Sequence, residues 1–182
     1  MVDPIDIPRI LLDAVRLVKS GEIVVFGSSA LAFWLESPPQ TRDVDIWCEP
    51  SERGDIVQAV MGELSWYDEK HGAYVEVWAP ETFAAPRDWR SRARTLRYDD
   101  FPDATVVVPH PHDVLLAKLE RLDESDREHV QRILAEYPLD LASLESLSAK
   151  CPQRSGEIEE EGRLQRFEHG IRYLEGVIGQ LP

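Results

Sequence analysis

The sequence predicts a mixed α/β (α+β) fold: a small mixed sheet with flanking helices, followed by an all-helical C-terminal region. Three observations carry this expectation. Short β-branched runs with a period of two are confined to the first 110 residues. Between them lie stretches whose apolar residues recur every three and four positions, the period of a helix with one buried face. From Pro111 onward only the helical period remains. The division implied is an α/β core over residues 1–110 and a helical region over 111–182.

Each element has its own signal. Pro8 opens a helix in which Ile10, Leu11, Ala14, Val15 and Val18 form one stripe, and Gly21 stops it. Residues 22–26 are short, β-branched and bounded by glycines, which predicts a buried strand. Ser28 begins a second helix through Leu35, ended before Pro38 and Pro39. Residues 43–48 read Asp-Val-Asp-Ile-Trp-Cys, the alternation of a strand. A helix starts at Ser51 or Glu52 and continues through Ile56, Val57, Val60, Met61 and Leu64. Residues 65–67 and 73–78 predict a hairpin around Glu69 to Gly72. Residues 92–98 and 104–108 predict two further strands, joined by 99–103. Helices follow at 113–122, at 125–137 with Ser125 and Glu128 as a capping box, at 141–150 and at 156–179. Val24, Val44 and Val75 are the expected core of the sheet. In the last helix Leu164, Phe167, Ile171, Leu174, Ile178 and Leu181 form a seam. It either packs on the chain's own helices, burying Phe167, Ile171, Leu174 and Ile178, or serves as a homodimer interface.

Composition narrows the function classes. Hydrophobic residues at 43 % and charged residues at 30 % over 182 positions describe a folded globular chain that needs no disulfide or metal staple. The 34 acidic against 20 basic residues leave a net charge of −14, which argues against unaided nucleic-acid binding. The arginines are nevertheless clustered at 87, 90, 92, 94 and 97, either as a contact for RNA or a triphosphate or as a solvated surface. Cys48 and Cys151 have neither metal-ligand spacing nor disulfide-scaffold spacing, which fits a reducing compartment. The chain shows no signal-peptide pattern at its start and no apolar run of the ~18–20 residues a membrane span requires. A cytoplasmic protein without membrane attachment is expected.

The chemistry concentrates in residues 24–47. A strand runs into Gly27-Ser28 and directly into a helix, where the glycine permits a sharp turn and a close ligand approach, and the helix start suits a phosphate. On the next strand Asp43 and Asp45 are two residues apart, so both carboxylates project from one face while Val44 and Ile46 enter the core. Adjacent carboxylates repel unless a cation lies between them, and Mg²⁺ is held by one or two carboxylates plus substrate phosphates. Glu76, flanked by Val75 and Val77, completes a three-carboxylate cluster if its strand lies beside the first. The competing reading is a polar, solvated sheet face.

These residues resemble the nucleotidyltransferase superfamily, the polymerase-beta-like fold: Gly-Ser opening a helix, Asp-x-Asp on the next strand, a third carboxylate on a later one. Gly27-Ser28-Ser29-Ala30-Leu31 and Thr41-x-Asp43-x-Asp45 are similar to the AbiEii-type toxins and related small nucleotidyltransferase-like proteins. So are Pro80 to Phe83, Trp89-x-x-Arg92, and Pro111 to Lys118 with Arg121 and Asp126 after it. Ser28, Pro39 and Glu76 depart from that branch, which more often has glycine, arginine and aspartate there.

The resemblance implies a nucleotidyltransferase-like sheet and an NTP substrate. It further implies Asp43, Asp45 and Glu76 as ligands of Mg²⁺ (or Mn²⁺) and as catalytic groups together with Lys118. Gly27, Ser28, Ser29, Thr41, Arg92 and Asp126 would bind the nucleotide. The acceptor hydroxyl would lie on RNA, protein or a small molecule, and one role is the toxin of a toxin–antitoxin pair with an antitoxin partner. The alternative is a catalytically degenerate fold that binds a nucleotide or a protein. Lys118 reads either as a triphosphate contact or as a snorkelling lysine on an apolar helix. His110 and His112 read as a strand-to-helix loop. Trp34, Trp47, Trp66, Trp78 and Trp89 read mostly as packing residues, with base stacking as the alternative.

Overall fold

The computed structural model describes residues 5–157 and 162–180. Those residues fall into two compact units: the chain up to Thr82 together with Ala93–Pro109, and Phe83–Arg92 together with the residues from His110 onward.

The first unit is built on one five-stranded mixed sheet of order β3-β2-β1-β5-β4. Its strands are β1 (Gly21–Val25), β2 (Asp43–Glu49), β3 (Tyr74–Val77), β4 (Arg94–Tyr98) and β5 (Phe101–Val108). β1 runs antiparallel to β2 and parallel to β5, β2 is parallel to β3, and β4 is antiparallel to β5. Val24, Val44 and Val75 are fully buried in this one sheet, as their alternation with polar neighbours requires. Helix α1 (Ile7–Val18) packs on β5 and on α3 (Glu52–Met61). It starts where the Asp6 carboxylate accepts from the Arg9 N–H at 3.1 Å, and its apolar stripe from Ile7 to Val18 is buried.

Three parts of this unit differ from the sequence expectation. Residues 65–67 are not a strand. Helix α4 (Trp66–His71) occupies that stretch, because the Ser65 hydroxyl accepts from the Asp68 N–H at 3.2 Å and caps it. The helix after Gly27 is short: α2 (Gly27–Ala30) passes into a 3₁₀ turn, Leu31–Phe33, and ends before Leu35. β5 begins at Phe101 rather than 104, so only Asp99 and Asp100 separate it from β4, and the pairing slips between Arg97 and Tyr98.

The second unit is helical: α5 (Pro111–Lys118), α6 (Glu124–Glu136), α7 (Leu141–Ser148), α8 (Pro152–Ser155) and α9 (Arg163–Ile178). Asp123, not Ser125, caps α6. Its carboxylate accepts from the Asp126 N–H at 2.9 Å and from the Ser125 hydroxyl at 2.8 Å, since the capping residue must precede the first helical one. The span expected as one helix over 156–179 contains α9, and residues 158–161 of it lie outside the described residues. Phe167, Ile171 and Leu174 are buried as expected. Ile178 is only half-buried, Leu164 is half-exposed, and Leu181 lies outside the described residues. α9 lies so close to Leu119 that a side chain at Gly170 would meet the Leu119 backbone. Among the described residues no helix is long and apolar enough to cross a membrane.

Candidate functional site

At one end of the first unit's sheet, pairing with β2 runs one residue beyond the end of β1. The Phe26 N–H donates to the Asp45 carbonyl at 3.0 Å, and Gly27 then turns the chain into α2 with φ 61°. The turn brings the Gly27 backbone against the Asp45 carboxylate, and a β-carbon at 27 would collide with Oδ2. Glycine is required twice over here, by the left-handed conformation and by the close approach. Ser28 is half-buried in the same turn. Ser29 is buried and donates its hydroxyl to the Asp43 carbonyl at 3.0 Å, locking turn to strand.

The parallel register of β2 and β3 sets Asp43 beside Tyr74 and Asp45 beside Glu76. Asp43, Asp45 and Glu76 are all half-buried, and each offers an oxygen within 4.8 Å of the other two. Three convergent hard oxygen donors form the set that suits a hard divalent cation. Burial first, and then the Asp43 and Glu63 carboxylates, push the Glu76 carboxyl above its ordinary value. The Tyr74 phenol, on the same face, is raised by burial and then by Asp43, Glu63 and Glu76.

Two neutral donors orient the aspartates. The Thr41 hydroxyl donates to Asp43 Oδ1. The Trp78 indole N–H donates to Asp45 Oδ1 at 3.0 Å. Sequence reasoning assigned Trp78 to packing. The signal for its role was the alternation Tyr74-x-Glu76-x-Trp78, which extends the carboxylate face by one more residue.

Arg92, Lys118, Asp126 and the histidine pair belong to the second unit. Arg92 donates to both oxygens of the fully buried Asp113, at 2.6 and 3.2 Å, and also pairs with Asp88 at 2.9 Å. Lys118 is 8 % exposed and pairs with Asp126 at 2.7 Å. Asp126 also accepts two hydrogen bonds from Arg121, at 2.7 and 2.8 Å. Burial alone would raise the Asp126 carboxyl, but the hydrogen bonds from Arg121 and Lys118 outweigh it and hold it below its ordinary value. His110 caps α5, its Nδ1 accepting from the His112 N–H at 3.2 Å, so the histidine pair is structural. The arginine cluster is divided: Arg87, Arg90 and Arg92 lie in the second unit, Arg94 and Arg97 in the first. Arg94 stacks 3.6 Å over the Trp34 ring.

A strand turning through glycine into a helix, an Asp-x-Asp strand beside it and a third carboxylate on the adjacent strand together define a nucleotidyltransferase-type sheet. The chain is matched over residues 9–177 by the family described as "Nucleotidyltransferase of unknown function (DUF6036)", and it belongs to that family. No curated protein and no solved structure matches it.

Proposed function

We propose that this chain transfers a nucleotidyl group from an NTP to a hydroxyl acceptor, with Mg²⁺ or Mn²⁺ held by Asp43, Asp45 and Glu76. The observation that supports this most directly is the convergence of three carboxylate oxygens within 4.8 Å, next to a glycine turn that only a residue without a side chain fits. The bound cation would neutralise charge on the triphosphate. The acceptor oxygen forms its bond to the α-phosphorus as the bond to pyrophosphate breaks. Glu76 helps to position the acceptor hydroxyl or takes its proton. Gly27 and Ser28 receive the phosphates through the turn, while Ser29 and Thr41 hold that turn and Asp43 in place.

RNA, a protein or a small molecule carries the acceptor hydroxyl, and the toxin of an AbiEii-type pair, neutralised by an antitoxin, is one form of this activity. Calorimetric titration with each NTP, with and without Mg²⁺, tests the metal site on wild type, Asp43→Asn and Asp45→Asn. Metal-dependent binding is expected in wild type alone. Incubation with labelled NTPs, Mg²⁺ and total RNA then reports the acceptor as labelled RNA or labelled protein. Equal, metal-independent affinity in all three proteins would transfer the case to a nucleotide- or protein-binding module.

A further inference from the structure

Trp78 directly follows β3. Its backbone N–H donates to the Ile46 carbonyl at 2.8 Å, so the parallel pairing with β2 runs one residue beyond the strand. Strand alternation puts its side chain on the face that carries Glu76. From there the indole N–H reaches Asp45 Oδ1 at 3.0 Å, while Asp45 Oδ2 lies against Gly27. Trp78 is 41 % exposed, whereas Trp47 on the neighbouring strand is 3 % exposed. Filling the core therefore does not account for a tryptophan at this position. The chemistry of the bond does. An indole donates one hydrogen bond and carries no charge, so it restrains a carboxylate without competing with a cation for it, as a lysine or arginine would. Thr41 treats Asp43 in the same way.

We infer that Trp78 is a positioning residue for Asp45: its indole N–H fixes the rotation of that carboxylate within the acidic cluster before a cation arrives. The inference rests on reading Asp43, Asp45 and Glu76 as a cation site. The probe is Mn²⁺ alone, with no nucleotide and no turnover. Bound ion is counted by electron paramagnetic resonance for wild type, Asp43→Asn, Trp78→Phe and Trp78→Leu. The two Trp78 substitutions keep apolar bulk and remove the N–H.

Wild type should bind and Asp43→Asn should not. Both Trp78 variants should bind ~10-fold more weakly, the scale on which groups that orient metal ligands act, with unchanged metal-free melting temperatures. The emission difference between wild type and Trp78→Phe isolates Trp78. Mn²⁺ should alter that difference over the concentrations that titrate the resonance signal. Unchanged affinity in both Trp78 variants, with binding intact in wild type and lost in Asp43→Asn, overturns the positioning role and leaves the cation site standing. Absence of binding in wild type, or equal binding by Asp43→Asn, overturns both. Failure of both Trp78 variants to fold makes the residue a structural anchor and also overturns the inference.

Discussion

A methyl group at residue 27 is the smallest change that addresses the site. It would meet the Asp45 carboxylate while holding φ at 61°, a conformation that costs an L-residue roughly 1–2 kcal/mol. Gly27→Ala should therefore lower stability by about that amount in thermal denaturation and displace Asp45, with Mn²⁺ binding lost as well. Asp43→Asn and Asp45→Asn act in the opposite direction on the metal-free fold. Each removes one charge from a cluster whose members repel, so the metal-free melting temperature should be equal or higher while Mg²⁺-dependent NTP binding disappears. Lys118 makes a different kind of statement. Lys118→Met takes the ammonium away from the fully buried Asp126, which keeps its pair with Arg121, and should cost roughly 3 kcal/mol. The pH dependence follows from the depressed Asp126 carboxyl. The folded state binds fewer protons than the unfolded one, whose Asp titrates near ~3.9, so the stabilisation is present above that pH and is lost as pH falls through the folded value. Denaturant midpoints taken into the acid range should show this fall in wild type and a shallower one in Lys118→Met.

Helix ends separate what the pattern reveals from what it conceals. The capping residue of α6, Asp123, is two residues earlier than a Ser-x-x-Glu pattern suggests. Asp123→Ala should cost ~1 kcal/mol, and Ser125→Ala only a few tenths, because Ser125 donates to the cap rather than serving as it. Helix α4 was concealed because Ser-Trp-Tyr has strand composition, yet Trp66 is 68 % exposed and Tyr67 is buried, which a short capped helix supplies as readily as a strand does. At the contact of α9 with Leu119 the backbones leave no room for a β-carbon at Gly170. Gly170→Ala should force that contact apart and destabilise the protein by roughly 1–3 kcal/mol, read from urea midpoints, although alanine is the better helix former.

For the whole molecule, the last helix is structural. Phe167 and Leu174 are fully buried and Ile171 nearly so, and a chain ending before Ser155 would leave the partners of all three in water. Such a truncation should aggregate or change its oligomeric state in light scattering, whereas an equally stable, monodisperse product would show that α9 is dispensable. The sheet itself was legible in the sequence because strand alternation is local. Asp43 and Asp45 share a face, and Glu76 alternates with Val75 and Val77, whatever the strands pair with. That the three acids meet is not local. It depends on β3 choosing β2 as its parallel neighbour in the register that sets Asp45 beside Glu76, which only the burial of the whole sheet enforces. The same holds for the Trp78 indole on Asp45 and for Lys118, which an apolar helix face left undecided and a buried Asp126, eight residues further on, turns into half of an ion pair. The sequence by itself determined the fold class, the face each carboxylate occupies and the glycine turn, but not α4. Tertiary structure alone decided which side chains became neighbours, because register and ion-pair partners are selected by packing between segments far apart in the chain.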